Sequence, residues 1–512
     1  MRTLELNGAR VAELVEEAIG YLATHLRPDV HDALAAARCD ACGARECFVF
    51  DQLLANAAVA ADDHTPLCQD TGSVWVCLEV GREELIPGDI FDQVDDAVAR
   101  AYERNALRKS ILADALVGRS NTKTNTPAFC ELELRPGTGA TLHVMLKGGG
   151  SDNASQVVML PPGAGFEGIE EAVIERVRRK ASCACPPLVL GLGVGSTFDR
   201  VGHLAKKALL RPVGQSSDDP RVAELEKRLL SRINQLGIGP AGLGGACTAL
   251  SVAIETAPCH IAALPLAIQM GCSAMRSVSI DLATTSGLSR KGSSLEDRSA
   301  KTPSAAPALA SNRSDSPRTH DAVDRFRVPS LSEEGILRLH LPVSRDELMT
   351  LHAGDAVLLS GPVYTMRDAG HMRALAELQA TGRLPFDLQG QTLFYAGPTP
   401  AAAGRPVGAV GPTTASRMDF ATPQLLEAGI VACIGKGERS QRVRDACVAT
   451  GSVYFAAVGG AASFLAQHVS SATPVAWEDL GTEALVRMEL KDFPAFVAID
   501  TRGMDLYQEV TA

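Results

Sequence analysis

Pro66-Leu67-Cys68-Gln69-Asp70-Thr71-Gly72 sets a thiol, a carboxamide, a carboxylate and a hydroxyl on consecutive residues, ahead of a glycine that frees the chain to turn. A thiolate is a soft ligand. The first 25 residues carry Glu5, Glu13, Glu16 and Glu17 and lack the cationic and apolar regions of a signal peptide. The thiol therefore reads as a candidate for iron–sulfur or zinc before disulfide. Gln69 and Asp70 are placed to orient a substrate or move a proton beside whatever Cys68 binds. Alone, the stretch reads better as a turn around a buried cysteine, because free Cys is among the most buried residue types.

On the N-terminal side, residues 8–27 space Val11, Leu14, Val15, Ala18, Ile19 and Leu22 as one face of an amphipathic helix. Cys39-Asp-Ala-Cys42, with Cys47 following, has the spacing of a zinc or redox site. No second Cys or His pair completes a zinc finger and the flanks look helical, so this trio reads as a distractor or a minor metal site. On the C-terminal side, residues 73–80 are strand-like. Phe129–Leu134 and Ala140–Leu146 alternate across Pro136-Gly137-Thr138-Gly139, which predicts a hairpin. It leads into Lys147-Gly148-Gly149-Gly150-Ser151, whose backbone N–H groups are free to approach an anion.

Cys183 and Cys185-Pro186-Pro187 precede an apolar strand ending in Gly191-Leu-Gly193-Val-Gly195-Ser196. That run is near a dinucleotide fingerprint, but Ser196 stands where the third glycine belongs and no acidic partner follows, so the reading is rejected. The prolines hold the preceding cysteine extended. Gly237–Gly245 is rich in glycine, His260 lies between two apolar strands, and Gln269-Met-Gly-Cys272-Ser-Ala-Met-Arg276 closes the first part. Residues 281–330 turn to Ser, Ala, Pro, Arg and Thr and read as a linker. Beyond it, strand-to-helix turns carry Arg367, Thr413, Arg417 and Lys436 beside glycines, where helix N-termini and cations attract anions.

The bulk numbers bound the rest. A chain of 512 residues exceeds one ordinary core, so two or more domains are expected. The net charge of −11, 4% aromatics and the lack of a basic run argue against nucleic acid. No apolar window is long enough for a membrane span. Thirteen cysteines in a chain expected to be cytoplasmic fit reduced thiols, some binding metal.

Taken together, the Cys68 motif, Lys147-Gly-Gly-Gly-Ser, Cys185-Pro-Pro, the 237–245 stretch, His260, Gln269-Met-Gly-Cys272, Thr-Met-Arg367-Asp-Ala-Gly-His and Gly-Pro-Thr413-Thr-Ala-Ser-Arg417-Met-Asp resemble the iron–sulfur (class I) fumarase family and its relatives, the L-tartrate dehydratases. The resemblance covers nearly the whole chain outside the linker. It implies an α/β protein of two domains: a mixed α/β cluster-binding domain over 1–280 and a smaller, swivelling-type α/β substrate-binding domain over 331–512. It implies a 4Fe–4S cluster on Cys68, Cys185 and Cys272, with Cys183 as competitor for the middle ligand. Substrate contacts carry over to Gln69, Arg108, Gly149, Gly150, Arg367, Arg417 and Lys436, and catalytic roles to Thr413, Asp70 and His260. A homodimer acting on a small dicarboxylate is the implied assembly. Ala246-Cys247, Ser273 and Lys123 depart from the family pattern and leave substrate preference open.

The chemistry matches these residues. Three thiolates on a cubic cluster leave one iron free as a Lewis acid for a carboxylate and a hydroxyl. Arginine is the residue for bidentate carboxylate binding. Thr413 is the implied base and needs an acceptor such as Asp70, while His260 is placed to serve the leaving hydroxyl. The expected reaction is reversible hydration of fumarate to L-malate, in a cleft that the second domain closes. L-tartrate dehydration is the nearest alternative, and a non-catalytic iron–sulfur sensor is the alternative from another class.

Overall fold

The computed structural model describes residues 6–41, 43–282, 335–384 and 386–511. The expected linker at 281–330, apart from its first two residues, and Cys42 of the N-terminal trio lie outside the described residues.

The first part holds eight strands: β1 (Ser73–Gly81), β2 (Phe129–Arg135), β3 (Ala140–Lys147), β4 (Gln156–Leu160), β5 (Leu188–Ser196), β6 (Ala249–Cys259), β7 (Leu264–Gly271) and β8 (Ser277–Asp281). They form two four-stranded sheets, ordered β2-β1-β3-β8 and β4-β7-β5-β6. β1 alternates strictly. Val74, Val76, Leu78 and Val80 enter a core with the helix Gly8–Thr24, which Asn7 caps by accepting from the Ala9 N–H. Trp75, Cys77 and Glu79 therefore face the other way, toward the second sheet. The helix Val201–Ala208 lies between the two sheets. It comes so close to β5 that a Cβ on Gly191 would stand 2.3 Å from the Ala205 carbonyl, and one on Gly193 2.4 Å from that of Val201. Those glycines serve helix–strand packing inside a strand, which is why a dinucleotide reading of them fails.

The expected hairpin is corrected. β2 and β3 do not pair with each other; β1 lies between them, parallel to β2 and antiparallel to β3. The 136–139 turn passes over the end of β1, where Gly81 N–H donates to the Gly139 carbonyl and Arg82 N–H to that of Arg135. The physical reason is burial: β1 is almost wholly apolar and takes the centre of the sheet, leaving the glutamate-bearing β2 at the edge.

The second part holds β9 (Ile336–His340), β10 (Ala356–Thr365), β11 (Thr392–Phe394), β12 (Ala432–Gly435), β13 (Val453–Ala456), β14 (Val469–Ala476) and β15 (Leu485–Ile499). β9 to β13 run parallel, and β15 pairs antiparallel with both β13 and β10. The sheet thereby closes on itself around Phe394, Phe455, Phe493 and Phe496. One hydrophobic cluster runs through both parts: the helix Ala44–Asp63 packs Phe48 edge-on against Phe496, ring centroids 5.5 Å apart. Asn56 on that helix donates to the carbonyls of Leu67 and Gly460 and accepts from the Phe464 N–H, each at 3.0 Å. The Cys68 turn is thus tied to the second domain by a buried side chain.

Candidate active site

Strand register explains why distant cysteines meet. β1 and β3 are antiparallel with Ser73 opposite Lys147, so the Cys68–Gly72 turn before β1 meets the glycine loop after β3. β5 and β7 are antiparallel with Val189 opposite Gly271, so Cys185 before β5 meets Cys272 after β7. Ser273 N–H donates to the Cys185 carbonyl at 3.0 Å. From the second domain, Arg367, Gly397 and Lys436 follow β10, β11 and β12 at their carboxyl ends, the edge where open α/β sheets bind ligands. Thr413 lies in a connecting segment fastened there, its N–H donating to the Tyr395 carbonyl at 2.6 Å and its carbonyl accepting from Lys436 N–H at 3.2 Å.

Cys68, Cys185 and Cys272 share one electrostatic environment. Burial pushes the Cys185 thiol up to about 11, opposed by Lys436, with further upward pressure from Cys272 and Cys68. Burial also raises Cys68, Arg276 opposing it. Lys436 Nζ donates to Cys185 Sγ at 2.5 Å. This approach requires Gly459, where a Cβ would stand 2.4 Å from that sulfur. Cys183 faces elsewhere, toward Glu438 and Lys180 as well as Lys436. The expectation that the two prolines hold Cys185 extended is corrected: it is left-handed, with φ of 57°, where the short helical turn Ala181–Ala184 ends.

Asp70 joins the Cys68 turn, the glycine loop and Arg108. Its Oδ2 accepts from Gly149 N–H at 2.8 Å, its Oδ1 accepts from Gly72 N–H at 3.2 Å and pairs with Arg108 Nη2 at 3.2 Å. Burial works to raise its pKa, but Arg108, Arg276, the Gly149 N–H and Lys436 together hold it below the usual carboxylate range. Gln69 Nε2 donates to the Pro412 carbonyl across the domain boundary at 3.2 Å. Arg108 donates to the Gly397 carbonyl at 2.9 Å. Arg367 pairs with Glu483 at 3.0 Å, and Arg417 with Asp368 through Nε at 3.0 Å. Burial, then the neighbouring charges of Arg108 and Arg417, lowers Arg367 to about 10, so the three guanidinium groups form one cationic end. A Cβ on Gly150 would stand in ordinary contact with Lys436 Nζ, at 3.8 Å.

His260 stands apart. It sits exposed in the β6–β7 turn beside Ile261, its Nδ1 accepting from the Ala262 N–H at 3.1 Å. The eight residues of β7 separate that turn from Cys272, about 26 Å at 3.3 Å per residue. Two residues escaped the sequence reading. Arg276, buried to 2% exposure, donates through Nη2 to the Asp70 carbonyl at 2.8 Å, while its Nε and Nη1 have no partner among the described residues. Lys147 donates to Ser151 Oγ at 2.8 Å and the Met270 carbonyl at 2.7 Å, and burial lowers it to about 8. A charged residue ending the otherwise small and apolar run after Cys272 was the available signal for Arg276.

A second group of metal-capable side chains lies between the sheets. Cys77 Sγ, a Glu133 oxygen and a His203 nitrogen fall within 4.8 Å of one another. Lys207 bridges Glu79 at 2.7 Å and Glu133 at 2.9 Å, and His203 pairs with Glu131 and Glu133. The exposed Cys39 and half-buried Cys47 make no such group among the described residues.

The chain belongs to the fumarate hydratase family, a family of hydro-lyases. The family model described as fumarate hydratase (fumerase) matches residues 12–281, and that described as fumarase C-terminus matches 310–510. Among relatives, the chain is similar to the anaerobic class I fumarate hydratase of Escherichia coli K12, 28% identical over 481 residues, covering 90% of this chain and 83% of that one. It is as similar to the mitochondrial fumarate hydratase 1 of Leishmania major, 28% identical over 480 residues with the same coverage. A protein of Methanocaldococcus jannaschii bearing the name of an L(+)-tartrate dehydratase alpha subunit is 37% identical over 276 residues, 52% of this chain and 95% of its own length. No helix among the described residues is long and apolar enough to cross a membrane.

Proposed function

We propose that the protein reversibly hydrates fumarate to L-malate, with a 4Fe–4S cluster held by Cys68, Cys185 and Cys272 in a homodimer of two-domain chains. One observation carries the reading: three thiols from three separate loops converge where Lys436 and Arg276 have no carboxylate partner among the described residues. Soft sulfur donors with surplus positive charge suit an anionic iron–sulfur group, and Arg276's orphaned buried donors ask for such a tenant. When bound, the cluster supplies a Lewis-acidic iron for one carboxylate and the transferred hydroxyl.

The chain's own residues do the rest. Arg108, Arg367 and Arg417 take the far carboxylate, Arg as a planar fork that matches it. Gln69 and the Gly149–Gly150 turn line the wall between the two ends, and Lys436 adds a point charge beside the cysteines. Thr413 moves the proton at the carbon next to the far carboxylate. Asp70, kept ionised by its partners, is the acceptor that lets the threonine hydroxyl act as a base. His260 has no part in this scheme within one chain.

Fumarate outranks L-tartrate because the relatives matching both domains bear the fumarate hydratase name, while the tartrate-named relative matches about half of the chain. Assay of anaerobically reconstituted protein with fumarate, L-malate, mesaconate and L-tartrate tests this. Malate–fumarate interconversion is expected; turnover of tartrate without it would reverse the choice, and a loaded cluster with no turnover of any would leave the sensor reading.

A further inference from the structure

Arg276 is one of the largest fully buried side chains in the molecule, yet it makes one hydrogen bond, to a neutral carbonyl. A guanidinium carries five N–H donors in a rigid fork. Leaving buried donors of a charged group idle is costly, because they give up water without gaining an acceptor. No carboxylate lies within ion-pair distance of Arg276 among the described residues.

The cations of the cleft sort into two groups. Arg367 feels the charges of Arg108 and Arg417, and each of the three has an acidic partner: Glu483, Asp70 and Asp368 respectively. Arg276 belongs to the other group. Its charge acts on Cys68 and Asp70, as that of Lys436 acts on all three cysteines. The Gly148 turn comes within 3.7 Å of its Nη2 at the Cβ position, so its fork lies under the glycine loop on the Cys68 side. The residue also spans two segments of the site. Its carbonyl accepts from Leu146 N–H at the end of β3, and its side chain holds the backbone of the Cys68–Gly72 turn.

We propose that Arg276 is a positioning residue for the metal end of the site: Nε and Nη1 donate to sulfur on the Cys68 side of the cluster, while Nη2 fixes the Gln69–Asp70 turn. This rests on the cluster reading above. Hydrogen bonds to the sulfurs and nearby positive charge raise a cluster's reduction potential, and removing a group that supports metal ligands costs about 10–100-fold in metal affinity.

The test uses the full chain, anaerobically reconstituted, as wild type, Arg276→Lys and Arg276→Gln, with iron and sulfide content, midpoint potential and steady-state kinetics measured. The expected result is a potential lowered in Arg276→Gln and intermediate in Arg276→Lys, iron lost to a chelator about tenfold faster, and KM for the diacid within about twofold of wild type, because its far carboxylate is held by the other three arginines. Wild-type potential and iron retention in a loaded variant would overturn the role. So would a raised KM at unchanged potential, which would move Arg276 to the diacid end. If Arg276→Gln fails to load, Arg276→Lys decides by the same criterion. A wild type that takes up no iron and sulfide would overturn the cluster reading, and this role with it; a loaded wild type beside an indifferent variant overturns the role alone.

Discussion

Two clusters draw on cysteines of the first domain, one of them reaching Lys436 of the second, and they are built oppositely. Between the sheets, the charged groups beside Cys77 pair with one another: Lys207 spans Glu79 and Glu133, and His203 pairs with Glu131 and Glu133. At the cleft, Cys68, Cys185 and Cys272 meet Lys436 and Arg276, and neither cation has a carboxylate partner among the described residues. The first arrangement satisfies itself and joins a sheet to a helix. The second is left open, and a protein leaves buried charge open where something else completes it.

The comparison can be broken at several points. The largest effect is expected from Cys68→Ser, Cys185→Ser or Cys272→Ser, each of which should lose the cluster and all hydratase activity, whereas Cys183→Ser should keep both; iron, sulfide and malate–fumarate assays check this. Thr413→Val should keep the cluster and lose about 10²-fold or more in kcat, the scale of general acid–base catalysis. Arg367→Lys should raise KM by about tenfold or more through loss of a charged, forked contact, with iron content unchanged. At the closed cluster the effects are on stability. The His143 ring and Lys207, working against burial, hold Glu79 to about 2. Its stabilisation is therefore present above the ordinary glutamate pKa and lost as pH falls through 4.5 toward 2. Glu79→Gln should cost about 1–2 kcal/mol at pH 7 and progressively less as pH falls from 4.5 toward 2, read by urea unfolding at each pH. Smallest of all, added zinc should leave the melting temperature of the loaded protein unchanged; a stabilisation that His203→Gln removes would show that the closed cluster takes a metal after all.

How much of this could be read from residues alone follows from range. The Cys68 turn, the glycine loop and Cys185-Pro-Pro were legible only together, through the family resemblance, because each alone also reads as an ordinary turn. The two-part α/β plan was legible from apolar runs punctuated by Gly and Pro. Strand order was not: nothing local in Phe129–Leu134 and Ala140–Leu146 says that Ser73–Gly81 will lie between them, because that choice is made by burial of a third, more apolar strand. The closure of the second sheet by β15 has the same cause, since one strand pairs with two partners far apart in sequence. Arg276 was passed over because its partner, the Asp70 carbonyl, is 206 residues away. His260, singled out by the family resemblance, lies in the turn before β7, at the far end of that strand from Cys272.

The most direct test is iron and sulfide per chain in anaerobically reconstituted protein, measured beside malate–fumarate turnover in the same sample. The account predicts about four of each, with activity that rises and falls with them. Full turnover in a preparation stripped of iron would contradict it.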